Sequence, residues 1–182
     1  MMNLANKITM FRVLLIPVFM IILFSNFNNN NYVAALIFAI AAATDGLDGY
    51  IARSRNQITT FGKFIDPLAD KLLVSAALIS MIQLAKVPAW IVVIIIAREF
   101  TITGFRIIAA SEGITIAASS LGKIKTATQL IAIILLLIDN FPFRLIGIPL
   151  DKIMLYIALF FTVVSGVDYI YKNKHVLESG DK

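Results

Sequence analysis

Cysteine is absent, and histidine occurs once in 182 residues. The first absence excludes disulfides, thiolate nucleophiles and Cys-ligated metals, and is compatible with a reducing compartment. The second leaves little imidazole chemistry, because His175 stands in the polar tail "YKNKHVLESGDK", where a solvated surface role is the simple reading. Charge is scarce too. Only 15% of the residues are charged against 59% hydrophobic, and the mean hydropathy is +0.88, whereas a soluble domain is about 25% charged. So short a soluble chain has too much surface to bury that much apolar area. The composition therefore points to a polytopic membrane protein. No cleavable signal peptide is expected, since "VLLIPVFMIILF" runs into Asn-rich sequence and not into a small-residue cleavage site, so the first apolar run is read as retained.

Six apolar segments can be drawn, roughly 10–25, 32–52, 63–85, 88–109, 124–140 and 152–171, each near the ~20 residues a helix needs to cross a bilayer. The expected fold is all-α, with six transmembrane helices forming a single membrane domain over 1–182. Lys and Arg collect on cytoplasmic flanks. With the N-terminus inside, thirteen of the sixteen basic residues fall on one side, leaving Lys86, Arg144 and Lys152 on the other. That split is expected for both termini on the cytoplasmic side of the cell membrane. The same spans become polar at their cytoplasmic ends, which predicts a hydrophilic cavity open to the cytoplasm.

One stretch concentrates the remaining acids. "ATDGLDGYIARSRNQITTFGKFIDPLADK" holds Asp45, Asp48, Asp66 and Asp70 beside apolar runs. On helices, each pair shares a face, being three and four residues apart. An antiparallel hairpin about the loop "SRNQITT" would bring all four to one depth. A charged side chain at mid-bilayer costs about 2.5–3.5 kcal/mol on insertion scales, so these acids need partners beyond Arg53 and Lys63. An all-carboxylate site suits hard divalent cations such as Mg²⁺ or Mn²⁺. Four acids facing two such ions are characteristic of phosphate transfer, where the metals stabilise charge on phosphate oxygens. Gly49, Ala52 and Gly62 each lie four residues from an acid, on the same face, and leave room for a ligand. Close helix packing is the competing account of such small residues. "DGLDG" lacks the alternating acids of a calcium loop, and "GKIK" lacks the glycine and Ser/Thr of a phosphate-binding loop.

Asp45-x-x-Asp48-Gly49-x-x-Ala52-Arg53, eight residues, then Gly62-x-x-x-Asp66-x-x-x-Asp70 resembles the full signature of the CDP-alcohol phosphatidyltransferase family. Three further stretches, "NLANKITMFRVLLIP", "AREFTITGFR" and "LGKIKTATQ", resemble the members of that family that use glycerol-3-phosphate as acceptor; Ala5 stands where proline is expected. The resemblance implies that an acceptor alcohol attacks the β-phosphorus of CDP-diacylglycerol and releases CMP. Asp45, Asp48 and Asp66 would be the principal ligands of two divalent cations. Asp70 would also lie at the metal site and act as general base. Gly49, Ala52, Arg53 and Gly62 would shape the nucleotide pocket, with Arg53 near the diphosphate, and Asn6, Thr9 and Arg12 would close it from the first helix. The resemblance also implies a homodimer.

Arg98, Arg106, Lys123 and Lys125 fall on the carboxylate side and are candidates for an acceptor phosphate, which arginine can bind bidentately. The plainer alternatives are that Arg98 pairs with Glu99 or with another helix and that Lys123 and Lys125 are positive-inside flanks. The expected partners are CDP-diacylglycerol, sn-glycerol-3-phosphate and membrane lipids, with no nucleic acid. Serine, inositol phosphate or phosphatidylglycerol as acceptor remain alternatives within the family. A small ion- or proton-coupled transporter is the alternative outside it, though its acids should be spread through the bilayer.

Overall fold

The structure is a computed structural model. It describes the backbone of residues 4–54, 60–111, 113–114, 116–117 and 119–174, and the side chains of 6–44, 68–110, 113–114, 116–117 and 119–174. Six helices account for most of it: α1 (Leu4–Phe24), α2 (Asn30–Ser54), α3 (Thr60–Gln83), α4 (Ala89–Ser111), α5 (Ser120–Leu137) and α6 (Leu150–Asn173). A short 3-10 turn, Phe143–Ile146, precedes α6. No strand occurs among the described residues, so the all-helical expectation holds.

Most helices begin earlier than the apolar runs do. α1 starts at Leu4, ahead of the apolar run at about residue 10, because Asn6, Thr9 and Arg12 form a polar face that the bundle buries. α5 starts at Ser120, where Ser119 is extended and its Oγ accepts a hydrogen bond from Gly122 N at 3.1 Å. That cap satisfies one of the first-turn amides left without a helical partner.

Polarity is distributed the opposite way from a water-soluble bundle. Leu14, Ile21, Leu36, Trp90, Ile107 and Phe160 are among many large apolar side chains that face outward, whereas Arg12, Lys125, Gln129, Thr162 and Ser165 are buried. An apolar exterior of this extent is unfavourable against water and fits lipid. Inside, Ala34, Ala41, Ala69, Ala77, Ala132 and Ala158 are buried between helices, where small side chains allow the close approach on which membrane helix packing depends. Phe19, Phe38, Leu73, Met81, Ile91, Ile95 and Ile133 fill the rest of this core. Three described helices are long and apolar enough to cross a membrane: Asn6–Phe24, Ser120–Leu137 and Leu150–Asn173.

The connections after α1, α3 and α5 are tied together at one end. Asp139 accepts from Lys86 Nζ at 2.7 Å and from Asn31 Nδ2 at 2.7 Å, while Lys86 also donates to Leu136 O at 2.9 Å. Asn30 Nδ2 closes the first connection onto Ser25 O at 2.6 Å, and Asn140 Nδ2 closes the last onto Ile148 O at 2.7 Å. Successive helices therefore alternate in direction. α1 packs on α2 and α3, and α6 packs on α5 and α4.

Candidate active site

A cavity of about 490 Å³ opens among α3, α4, α5 and α6. α3 contributes Asp70 and Lys71, and α4 contributes Arg98, Glu99, Thr103 and Arg106. The α4 residues recur at the spacing of one helical face. Ser119, Gly122, Lys123 and Thr126 line it from the capped start of α5, and Tyr169 from α6. Four basic residues face two acids in this lining, so the cavity attracts anions.

Glu99 organises those charges. Its carboxylate accepts from Lys125 Nζ, from Arg98 Nη1 at 3.1 Å, and lies 3.7 Å from Lys71 Nζ. Lys125 is only 3% exposed, and an ammonium buried to that degree requires such a partner. Beside this cluster is a smaller recess of about 30 Å³, lined by Asp70, Lys71, Glu99, Lys125 and Gln129 among others. The Gln129 side chain is buried, and neither of its polar atoms has a hydrogen-bond partner among the described residues.

The arginines of α4 are held by α6. Arg98 Nη2 donates to Ser165 Oγ at 2.9 Å. Arg106 Nε donates to Tyr169 Oη at 3.1 Å, and its guanidinium carbon lies 5.3 Å from the Tyr169 ring centroid. Lys123 has neither an ion pair nor a hydrogen bond from its side chain among the described residues. The structure thus gathers Asp70, Arg98, Arg106 and Lys123 round one cavity, and Lys125 at the adjoining recess. The Arg98–Glu99 pair weighed as the plainer alternative is also present.

The first-helix candidates occupy a second polar interface. Arg12 is wholly buried, and its Nε donates to Thr44 Oγ1 at 3.3 Å; Thr44 in turn donates to Ala41 O at 2.7 Å. Thr9 and Asn6, about one and two helical turns earlier, are also buried. Thr44 immediately precedes Asp45, so this face of α1 reaches the start of the acidic signature.

Asp45 and Asp48 lie in the second half of α2, and Asp66 and Asp70 in the first half of α3, on either side of one connection. The side chains of Asp45, Asp48, Gly49, Ala52, Arg53, Gly62 and Asp66 lie outside the described residues, as does His175. Among the described residues there is no group of three potential metal ligands; Asp70 is the one member of the acidic quartet described, and it lines both cavities. The donor set itself, all carboxylate oxygen, fits hard divalent cations.

Sequence reasoning overlooked Lys71, Ser119, Gln129, Ser165 and Tyr169 as site residues. Gln129, Ser165 and Tyr169 carried a signal nonetheless, because a polar group inside an apolar span must find a partner.

The cavity belongs to an all-helical chain with helices long enough to cross a membrane, and the family model for CDP-alcohol phosphatidyltransferase matches residues 2–164. The chain belongs to that family. It is 48% identical to the CDP-diacylglycerol--glycerol-3-phosphate 3-phosphatidyltransferase of Bacillus subtilis, with 100% of each chain covered. Proteins of the same name from Rickettsia typhi and Pseudomonas fluorescens are 36% and 38% identical, covering 93% of this chain in both cases and 96% and 89% of theirs.

Proposed function

We propose that this protein is an enzyme that transfers the phosphatidyl group of CDP-diacylglycerol to sn-glycerol-3-phosphate, giving phosphatidylglycerophosphate and CMP. The observation that carries this reading is the juxtaposition of Asp70 with Arg98, Arg106 and Lys123 round one cavity. It puts a proton acceptor beside cations suited to an acceptor phosphate.

In this mechanism Asp45, Asp48, Asp66 and Asp70 would hold two divalent cations, Mg²⁺ or Mn²⁺, which when bound would neutralise charge on the diphosphate and make CMP a better leaving group. Asp70 takes the proton of the acceptor hydroxyl as its oxygen bonds to the β-phosphorus, and the bond from that phosphorus to the CMP oxygen breaks. Gly49, Ala52 and Gly62 leave space for the cytidine, Arg53 lies near the diphosphate, and Asn6, Thr9 and Arg12 close this pocket from α1. Arg106 and Lys123 bind the acceptor phosphate directly, with Arg98 beside them. Lys125, engaged by Glu99, adds positive charge from the wall of the recess.

The residues 1–182 act as a single domain whose six helices all cross the membrane, with the cavity and both termini on the cytoplasmic side. Alternating helix direction and the excess of Lys and Arg at the cavity end support that orientation. The acyl chains stay in lipid while the head group enters the cavity, and the enzyme works as a homodimer.

Arg106→Ala tests the acceptor pocket. Loss of a charged hydrogen-bond donor corresponds to about a tenfold to hundredfold rise in the glycerol-3-phosphate KM, with the CDP-diacylglycerol KM little changed. An effect confined to CDP-diacylglycerol contradicts this placement.

A further inference from the structure

The contacts that fix the two cavity arginines come from three residues within five positions of α6, Ser165, Gly166 and Tyr169. Ser165 is buried, and its hydroxyl donates to Thr162 O at 3.3 Å, which leaves its lone pairs to accept from Arg98 Nη2 at 2.9 Å. At the next position, a Cβ on Gly166 would lie 3.1 Å from Arg98 Cγ, so the arginine stem rests directly on the glycine backbone. One turn on, Tyr169 is 3% exposed and is clamped edge-on by Phe105, with ring centroids 5.9 Å apart at 82°. Its hydroxyl accepts from Arg106 Nε, and its ring underlies the guanidinium. Arg106 Nε is thereby committed, and the residue lines the cavity.

We propose that Ser165, Gly166 and Tyr169 are positioning residues, a ledge on α6 that aims Arg98 and Arg106 at the phosphate of the acceptor and so sets selectivity for a phosphorylated alcohol. A guanidinium fork recognises phosphate bidentately only when its plane is held, and preorganisation lowers the ordering cost of binding. This inference rests on the phosphatidyl-transfer reading of the site.

The test compares purified wild type, Ser165→Ala, Ser165→Thr and Tyr169→Phe in CMP release, with glycerol-3-phosphate and CDP-diacylglycerol varied separately. Ser165→Ala and Tyr169→Phe should each raise the glycerol-3-phosphate KM about five- to tenfold, the equivalent of one hydrogen bond. Their kcat and CDP-diacylglycerol KM should stay within about twofold of wild type, and Ser165→Thr should recover most of the loss by restoring the hydroxyl. Unchanged glycerol-3-phosphate KM in both variants, or an equal change in both substrates' KM, overturns the ledge while leaving the reaction intact. Wild-type protein that releases no CMP with glycerol-3-phosphate overturns the reading of the site and the ledge with it. If Ser165→Ala does not fold, Tyr169→Phe, which removes a single oxygen, decides the question.

Discussion

Replacing Asp70 by asparagine is expected to lower kcat by about a thousandfold, within the range that a positioned general base supplies. The substitution keeps the shape of the side chain and removes its capacity to take a proton at neutral pH. Asp70 lies where that capacity matters, lining both the main cavity and the recess beside the Glu99 cluster. Binding of CDP-diacylglycerol should largely survive, because the nucleotide pocket proposed above draws mainly on α2 and the first turns of α3. Single-turnover CMP release by Asp70→Asn, measured alongside CDP-diacylglycerol binding, checks the assignment. CMP release at the wild-type rate removes Asp70 from the chemistry.

The second large effect is on stability. Glu99→Gln is expected to destabilise the protein by about 3 kcal/mol, since removing one partner of a buried ion pair leaves an uncompensated charge. Lys125, 3% exposed, is the charge that would be stranded, and Arg98 and Lys71 lose the same counter-ion. The double variant Glu99→Gln with Lys125→Met should recover much of the loss, because no buried ammonium then lacks its carboxylate. A double-mutant cycle on unfolding in detergent measures the coupling, expected at about 1–3 kcal/mol. Additive losses would mean that the two residues are stabilised independently.

Much of the fold was legible from apolar run length alone, because a bilayer demands helices of nearly fixed size. All six segments correspond to helices. Their ends were less legible: hydropathy detects where lipid begins, whereas α1 and α5 start where polar groups find helical partners or a cap, at Leu4 and at Ser119–Ser120. The acidic signature was legible because its spacing is local along two helices. The cavity was legible only in part. Arg98, Arg106 and Lys123 stood out as charges within or beside apolar spans, but Glu99 reads in sequence as a neighbour of Arg98 and becomes the hub of three cations only when α3, α4 and α5 meet. Ser165 and Tyr169 likewise acquire a role only when α6 packs on α4. The clasp of Lys86, Asp139 and Asn31 was hidden for the same reason, being made by residues from two connections and the first turn of α2.

The central claim is the reaction and its acceptor, and the most direct measurement is CMP release by purified protein supplied with CDP-diacylglycerol, Mg²⁺ or Mn²⁺, and each candidate alcohol in turn. The account predicts CMP release with glycerol-3-phosphate, none with serine, inositol phosphate or phosphatidylglycerol, and loss of activity on chelation. Release driven by one of the other alcohols, or undiminished by chelator, contradicts it.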